Sequence, residues 1–289
     1  MSVECGLCPH NCRIAEGKTG FCGARACLGG NIVCGNYGFV TALALDPIEK
    51  KPLARYKSGS FVLSAGSFGC NFRCPFCQNH SISMLRPAGC EEAAAGPFSH
   101  ITRLSPEMLA AKAAAAVPAG NIGIAFTYNE PLVGFEFIYD TAVQIKNRRL
   151  DNVLVSNGCI NPRRFETLLP LIDAANIDLK TFNASLYQKI SGMPGEAALE
   201  TIKTNITRAA TRCHLELTCL VIPDENDSAE EMERMSAFIA AISPEIPLHL
   251  SRFFPRHLYA GKSPTPLSTL KKLKAIAAAK LRSVVLGNC

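Results

Sequence analysis

Gly69-Cys70-Asn71-Phe72-Arg73-Cys74-Pro75-Phe76-Cys77-Gln78-Asn79 is the stretch that decides how the chain is read. Its three cysteines are spaced C-x3-C-x2-C. A thiol cluster this tight, in a chain without an export signal, points to a metal before it points to disulfides. A [4Fe–4S] cluster has four irons and usually takes four thiolates. Three thiolates from one loop leave one iron open to an exogenous ligand. A zinc site or buried free thiols are the bland alternatives.

Working outward, the whole chain bounds the answer. Its 289 residues suffice for one large domain and a small one. With 48% hydrophobic residues it reads as a soluble protein with a sizeable core. Its apolar runs stop short of a membrane span. Met1-Ser2-Val3-Glu4-Cys5 has no basic region followed by an apolar segment, so no secretory signal is visible. Fourteen cysteines then read as metal ligands and reduced thiols in a reducing, anaerobic cytoplasm. The formal charge of +6 counts every cysteine as neutral, so it is weak evidence for a nucleic-acid partner. The chain has no Trp and lacks interleaved aromatic and basic residues, which argues against a zinc-dependent interaction or nucleic-acid module.

Upstream lies a cysteine-rich head. Cys5-x2-Cys8-Pro9-His10-Asn11-Cys12 is followed by Gly17, Gly20 and Cys22, with Cys27 and Cys34 further on. Cys5, Cys8, Cys12 and Cys22 are the best four ligands for a second metal site, with His10 as a substitute donor. Zinc and an iron–sulfur cluster both accept four thiolates, and spacing does not choose between them. Next comes Asp46-Pro47-Ile48-Glu49-Lys50-Lys51-Pro52-Leu53. It reads either as a solvated turn fixed by prolines or as a segment that brings Asp46, Glu49 or Lys51 to the mouth of a site. The expected division is a head and linker over residues 1–58 and a core over 59–289.

Downstream, strands alternate with helices, which argues for a parallel sheet. Strands are expected at 61–65, 122–126, 153–155, 174–179, 214–222, 248–251 and 284–286. Helices are expected at 105–117, 133–146, 162–169, 184–190, 229–242 and 268–280. The pattern fits an α/β fold, a partial (β/α)6 TIM-like barrel, with its chemistry at the C-terminal strand ends. The cysteine loop follows the first of these strands. Residues 80–104 read as a long loop near the site. On the fifth strand, His214, Glu216 and Thr218 alternate with Leu215, Leu217 and Cys219, so a polar face is expected to fill the lumen. A buried carboxylate there needs a counter-ion. Lys180 and Arg252 stand at neighbouring strand ends, and Glu216, Lys180 and Arg252 are the expected catalytic residues.

These motifs together resemble the radical SAM superfamily. The C-x3-C-x2-C loop, with an aromatic residue before its third cysteine, is similar to that family's cluster motif. The head and the Asp-Pro-Ile-Glu-Lys-Lys-Pro-Leu run resemble a group related to the pyruvate formate-lyase activating enzyme, which includes the radical SAM member of the AmmeMemoRadiSam system. The resemblance implies that Cys70, Cys74 and Cys77 bind a [4Fe–4S] cluster whose open iron is chelated by S-adenosylmethionine (SAM). It implies a 5′-deoxyadenosyl radical and hydrogen abstraction, with electrons from a flavodoxin or ferredoxin. The target would be a glycyl-radical enzyme, or another protein, peptide or small molecule. Phe76, Asn79 and Ile222 would contact SAM, Phe76 and Ile222 beside the adenine. Tyr128-Asn129-Glu130-Pro131 stands where Gly-Gly-Glu-Pro is common, so Asn129 and Glu130 would hold the methionine amino group. Ser156 and Asn157 would lie near the ribose and methionine, and Asp178 and Lys180 match an Asp-Leu-Lys of the activators. Val155 stands where the activator has an acidic residue that helps bind a monovalent cation. Activators often carry extra cysteines after the cluster motif, whereas here they precede it.

Overall fold

The computed structural model describes residues 2–86 and 101–289. The head opens with two small antiparallel pairs, β1 (Ser2–Glu4) with β2 (Arg13–Ala15) and β3 (Arg25–Leu28) with β4 (Asn31–Cys34). β5 (Phe39–Val40) follows, then β6 (Ala42–Pro47), which pairs antiparallel with β7 (Phe61–Gly66). α1 (His80–Ser83) and β8 (Thr102–Arg103) come next, the latter paired with β5. The remainder alternates: α2 (Pro106–Ala115), β9 (Asn121–Phe126), α3 (Phe135–Asn147), β10 (Asp151–Ser156), α4 (Pro162–Leu168) and β11 (Ala174–Asp178). It ends with α5 (Ala184–Ser191), α6 (Gly195–Ala210), β12 (His214–Val221), α7 (Ala229–Ile242), β13 (Leu248–Arg252), α8 (Leu267–Ala278) and β14 (Val284–Gly287).

One sheet runs in the order β14-β13-β12-β11-β10-β9-β7-β6. Apart from β6 its strands are parallel. Among the described residues β6 and β14 do not pair with each other, so the sheet curves into a partial barrel that stays open. Local chemistry starts the helices where the chain turns back. Side-chain oxygens of Ser105, Asn161, Asn183 and Ser228 accept backbone N–H bonds at the starts of α2, α4, α5 and α7. Pro106 and Pro162 occupy first-turn positions, where a missing N–H costs nothing. Among the described residues no helix is long and apolar enough to cross a membrane.

Strand periodicity separates two cores. Leu63, Leu154, Ala175, Ile177, Leu217 and Leu250 belong to the large core that includes the helices. Val62, Ala125, Val153 and Ala174 form a second core with Ile48 and Leu53. Residues 48–56, which link β6 to β7, therefore plug the lower lumen. Asn176 donates from Nδ2 to the Pro52 carbonyl at 2.8 Å, and Thr218 donates to Asn176 Oδ1 at 2.8 Å.

Glu216 anchors that plug. It is fully buried. Its carboxylate accepts from Ala54 N–H at 2.9 Å and Arg55 N–H at 2.8 Å, and meets His214 Nε2 at 2.9 Å and His249 Nε2 at 2.6 Å. The polar face of β12 does point inward, but the expected pairing of Glu216 with Lys180 or Arg252 is corrected. Lys180 pairs with Asp178 at 2.6 Å, and Arg252 donates from Nε to the Thr265 carbonyl at 2.8 Å. The reason is height along the barrel: Glu216 is the third residue of its strand and lies near the N-terminal end.

Three further differences from the sequence reading stand out. α6 was not anticipated, although Ala198, Leu199, Ile202, Ile206 and Ala209 are spaced for one buried helix face. The strand β6 (Ala42–Pro47), ahead of the proline-fixed turn, was not anticipated. The long loop expected at 80–104 contains α1 and β8, and its residues 87–100 lie outside the described residues.

Burial opposes the charge on Glu216, but the two histidines and two backbone N–H groups outweigh it and bring the carboxyl from its ordinary 4.5 down to about 2. A depressed carboxyl stabilises the fold above its unfolded pKa, and that contribution is lost as pH falls from about 4.5 towards 2. Glu216→Gln turns an amide donor toward other donors and removes the charge. It is expected to lower the unfolding free energy in urea at neutral pH by about 3 kcal/mol and to flatten the acid limb of stability.

Candidate active site

The cysteine loop leaves the C-terminal end of β7 and is clamped from several sides. Gly69 has φ +88°, and a Cβ there would stand 2.7 Å from the Cys22 carbonyl, so only glycine admits the head's backbone. Immediately after it, Cys70 N–H donates to the Cys22 carbonyl at 3.1 Å. Arg73 N–H donates to Ile190 O at 2.9 Å, and Tyr259 N–H to Pro75 O at 3.2 Å. Asn129 accepts from Ser67 N–H at 2.9 Å and donates to the Gly69 carbonyl at 2.9 Å. Asn79 donates to the Tyr128 carbonyl at 2.6 Å. Both asparagines thus brace the loop.

Asn71, which sequence reasoning passed over, is buried at the centre of this bracing. It donates to Cys159 O at 2.7 Å, accepts from Asn157 Nδ2 at 2.8 Å, and offers its carbonyl to His10 Nε2 at 2.9 Å. Asn157 Nδ2 also lies 3.9 Å from Cys70 Sγ.

A cleft of about 310 Å³ opens over the loop and is lined by all three of its cysteines together with Glu130, Ser156, Asn157, Asp178 and Lys180. Most of the expected site residues therefore meet in one place, at the C-terminal strand ends. Glu130 is 4% exposed. It accepts from Leu132 N–H at 3.0 Å, Ser156 Oγ–H at 2.8 Å and Asn157 N–H at 2.7 Å. Burial nevertheless pushes its carboxyl up to about 7. Lys180 is partly buried, which opposes its charge, but Asp178 and the Cys74 thiol outweigh that and raise its pKa. Burial pushes the Cys74 thiol up to about 12.

The opposite wall carries Lys50, Lys51 and Tyr128. Asp46 Oδ2 accepts from Lys51 Nζ at 2.8 Å and from the Tyr128 hydroxyl at 2.7 Å. Asp46 and Lys51 thus reach the site, while Glu49 turns away to Gly59 N–H at 2.7 Å. Tyr128 was missed. The available signal was its place in Tyr-Asn-Glu-Pro: its φ of +72° is a conformation glycine takes freely and tyrosine takes at a cost. Phe76 and Ile222 line a separate narrow pocket beside Lys180, with Leu186, Ile190 and Tyr259. Neither Glu216 nor Arg252 lines the cleft; of the three residues expected to be catalytic, Lys180 alone does. Arg252 is drawn off to Thr265 and packs over the Phe254 ring at 4.9 Å.

In the head, Cys5, Cys8, Cys12 and Cys22 line one narrow pocket. His10 also lines it, but its Nε2 is engaged by Asn71 and its ring stacks on Phe21 at 4.0 Å. Cys27 faces Glu16 and Cys34 faces Asn36. Among the described residues no three Cys, His, Asp or Glu side chains converge on a single ion. A four-iron cluster takes each thiolate at a different iron and spaces its ligands wider than one ion does. Three loop cysteines around one cleft fit such a cluster.

Comparison with known proteins agrees with this geometry. The profile of the Radical SAM superfamily matches residues 66–236. An uncharacterised protein of Methanocaldococcus jannaschii is 36% identical over 288 residues, covering 99% of this chain and 81% of that one. The 4-hydroxyphenylacetate decarboxylase activating enzyme of Clostridioides difficile is 26% identical over 119 residues, 41% of this chain and 37% of that protein. In fold, the chain resembles a radical SAM methyltransferase from Sphaerobacter thermophilus, with a TM-score of 0.57 at 15% identity over 80% of this chain and 67% of that one.

Glu130 sets a pH signature. A carboxyl whose folded pKa is raised keeps a proton that the unfolded chain has released, so its contribution to stability falls as pH rises from about 4.5 to about 7. Glu130→Gln is expected to remove that slope in urea denaturation between pH 5 and 8. It should also cost about 1–3 kcal/mol by leaving a buried N–H unpaired.

Proposed function

The chain belongs to the radical SAM superfamily, and from that membership we propose that it is an activating-enzyme-like oxidoreductase of a reducing cytoplasm that abstracts a hydrogen atom from a glycyl-radical enzyme. Enzymes of the family work with a [4Fe–4S] cluster and SAM. When bound, these supply a 5′-deoxyadenosyl radical and methionine at the expense of one electron, here from a flavodoxin or ferredoxin. The observation that carries the reading is the single cleft in which Cys70, Cys74 and Cys77 face Glu130, Ser156, Asn157, Asp178 and Lys180.

In this reading the three cysteines hold the cluster. Three donors occupy Glu130 and leave capacity for one more, which suits a cationic amino group. Ser156 and Asn157 fix that carboxylate and sit beside the ribose and methionine. Asn129 and Asn79 act through the loop they brace. Lys180, locked by Asp178, provides a positive charge for a carboxylate. Phe76 and Ile222 offer the adenine an apolar slot. Phe72 and Val155 on the lining help exclude water from the reacting centre. The four head thiols form a second metal centre. The local similarity to an activating enzyme supports a glycyl-radical target.

Anaerobic incubation of the reconstituted protein with SAM, a reductant and candidate glycyl-radical enzymes tests the target. The expected result is an organic glycyl radical in the partner by EPR, absent with Cys70→Ala/Cys74→Ala/Cys77→Ala. Activation of no such partner, with 5′-deoxyadenosine formed instead on a different protein or peptide, would sink the activating-enzyme reading and leave the radical chemistry standing.

A further inference from the structure

We propose that the segment after β13, with Leu258 at its tip, is the docking surface for the electron donor, a low-potential one-electron carrier protein with an acidic face around its redox centre. A donor is called for by the radical SAM reading of the cleft, on which this assignment rests.

The charge of the chain is unevenly spread. Residues 246–289 contain eight Lys and Arg and no Asp or Glu, although the whole chain has 24 acidic residues. Asymmetry of this kind points to an acidic partner. Lys271, Lys272 and Lys274 are exposed on α8, and Arg256 is exposed on the segment itself. Among the described residues the Arg256 guanidinium bonds only a backbone carbonyl, Pro255 O at 3.4 Å. The nearby acid, Glu225, is already taken by Lys189, Lys262 and the Tyr259 hydroxyl.

Amid these charges stands an apolar tip. Leu258 is 75% exposed, more than any other large hydrophobic side chain among the described residues. Phe254 is exposed as well, and the Arg252 guanidinium lies 4.9 Å from its ring. His257 holds φ +51°, a left-handed conformation that costs a residue with a side chain. The turn is fixed by Tyr259 N–H, which donates to Arg256 O at 3.0 Å. An apolar centre with a charged rim is the make-up of a protein interface.

Its position names the partner. Tyr259 N–H also donates to Pro75 O at 3.2 Å, and Pro75 is bonded to Cys74. The His257 ring stacks on His80 at 4.2 Å, and His80 Nδ1 lies 3.2 Å from Cys77 O. The segment therefore lies against the cysteine loop between its second and third cysteines. Yet Phe254, Arg256 and Leu258 do not line the cleft. A protein docked on them reaches the back of the loop and stays clear of the space where a substrate gives up its hydrogen. Electron delivery needs only the back of the loop, so the donor fits this surface and the substrate does not. From Leu258 to Cys74 Sγ the route is covalent bonds and one hydrogen bond. An aliphatic tip also suits a protein partner better than a nucleic-acid strand, whose bases stack on aromatic rings. The donor loses one electron, the cluster held by the loop gains it, and no bond or proton changes place.

Binding and reduction are measured on anaerobically reconstituted protein, with flavodoxin as the acidic donor. Binding of oxidised flavodoxin is followed by its flavin fluorescence, and reduction of the cluster by reduced flavodoxin by stopped-flow bleaching. Arg256→Glu and Leu258→Ser are compared with Lys112→Glu, which makes the same charge change as Arg256→Glu on the exposed last turn of α2. Arg256→Glu and Leu258→Ser should each raise the dissociation constant about tenfold. Arg256→Glu should slow reduction by a similar factor, and Lys112→Glu should stay near wild type. Dithionite should reduce all of them alike, and wild-type binding should weaken as salt rises. Wild-type binding and rate in both Arg256→Glu and Leu258→Ser, or an equal loss in Lys112→Glu, overturn the docking surface. Loss of coupling to a glycyl-radical partner, or of binding to oligouridylate, with flavodoxin binding unchanged would assign the surface to a substrate or to nucleic acid and overturn it as well. If SAM leaves the EPR signal of the reduced cluster unaltered, the reading of the cleft fails, while the binding and rate comparisons still decide the surface.

Discussion

A single carboxylate with four partners closes the floor of this barrel. The sheet is open, and its lower lumen would fill with water unless something crossed it. Residues 48–56 cross it and contribute Ile48 and Leu53 to a small core on the inner face. Their backbone is fastened at Ala54 and Arg55 by Glu216, which His214 and His249 hold in turn. An uncompensated charge at such depth costs several kcal/mol, whereas one with four well-placed partners becomes a rigid anchor. The same segment lifts Lys50 and Lys51 onto the wall of the cleft above. The architecture of the site thus begins at the opposite end of the barrel.

The cleft depends on a second set of constraints at the top. Loops carry function when a rigid scaffold positions them, and the cysteine loop is held by side chains from every direction. Asn129 and Asn79 tie it to the segment after β9, and Asn71 ties it to the segment after β10 and to the head. Asn205, on α6, donates to Gly158 O at 2.9 Å and Ile160 O at 2.7 Å and fixes the segment against which Asn71 rests. Buried amides of this kind bridge irregular backbone whose N–H and C=O groups have no ladder partner. The head is then part of the same construction, joined by backbone hydrogen bonds at Cys22.

The parts legible in the sequence were those with a local signature. The cysteine spacing, the alternation of strands with helices and the period-two alternation of β12 each correspond to what the fold contains. Alternation gives the face of a strand but not the height along it. Glu216 and Arg252 were therefore both set in the reacting centre, when Glu216 belongs to the floor and Arg252 is taken by Thr265. The α6 helix has the right spacing, but Thr201, Thr204, Asn205 and Thr207 are poor helix formers, and packing overrides their propensity. β6 is an edge strand with Leu43 and Leu45 partly exposed, so it lacks the buried alternation of a central strand. Asn71 and Tyr128 act through long-range contacts, which no short window of sequence contains.

The measurement that bears most directly on the account is reductive cleavage of SAM by the reconstituted protein. Under anaerobic conditions with a one-electron reductant, wild type is expected to form 5′-deoxyadenosine and methionine in equal amounts. Cys74→Ala should form neither, and Glu216→Gln, where folded, should retain the reaction. SAM recovered intact from the cluster-loaded wild type, or the same products from Cys74→Ala, would contradict the central claim that this cleft is a radical SAM centre.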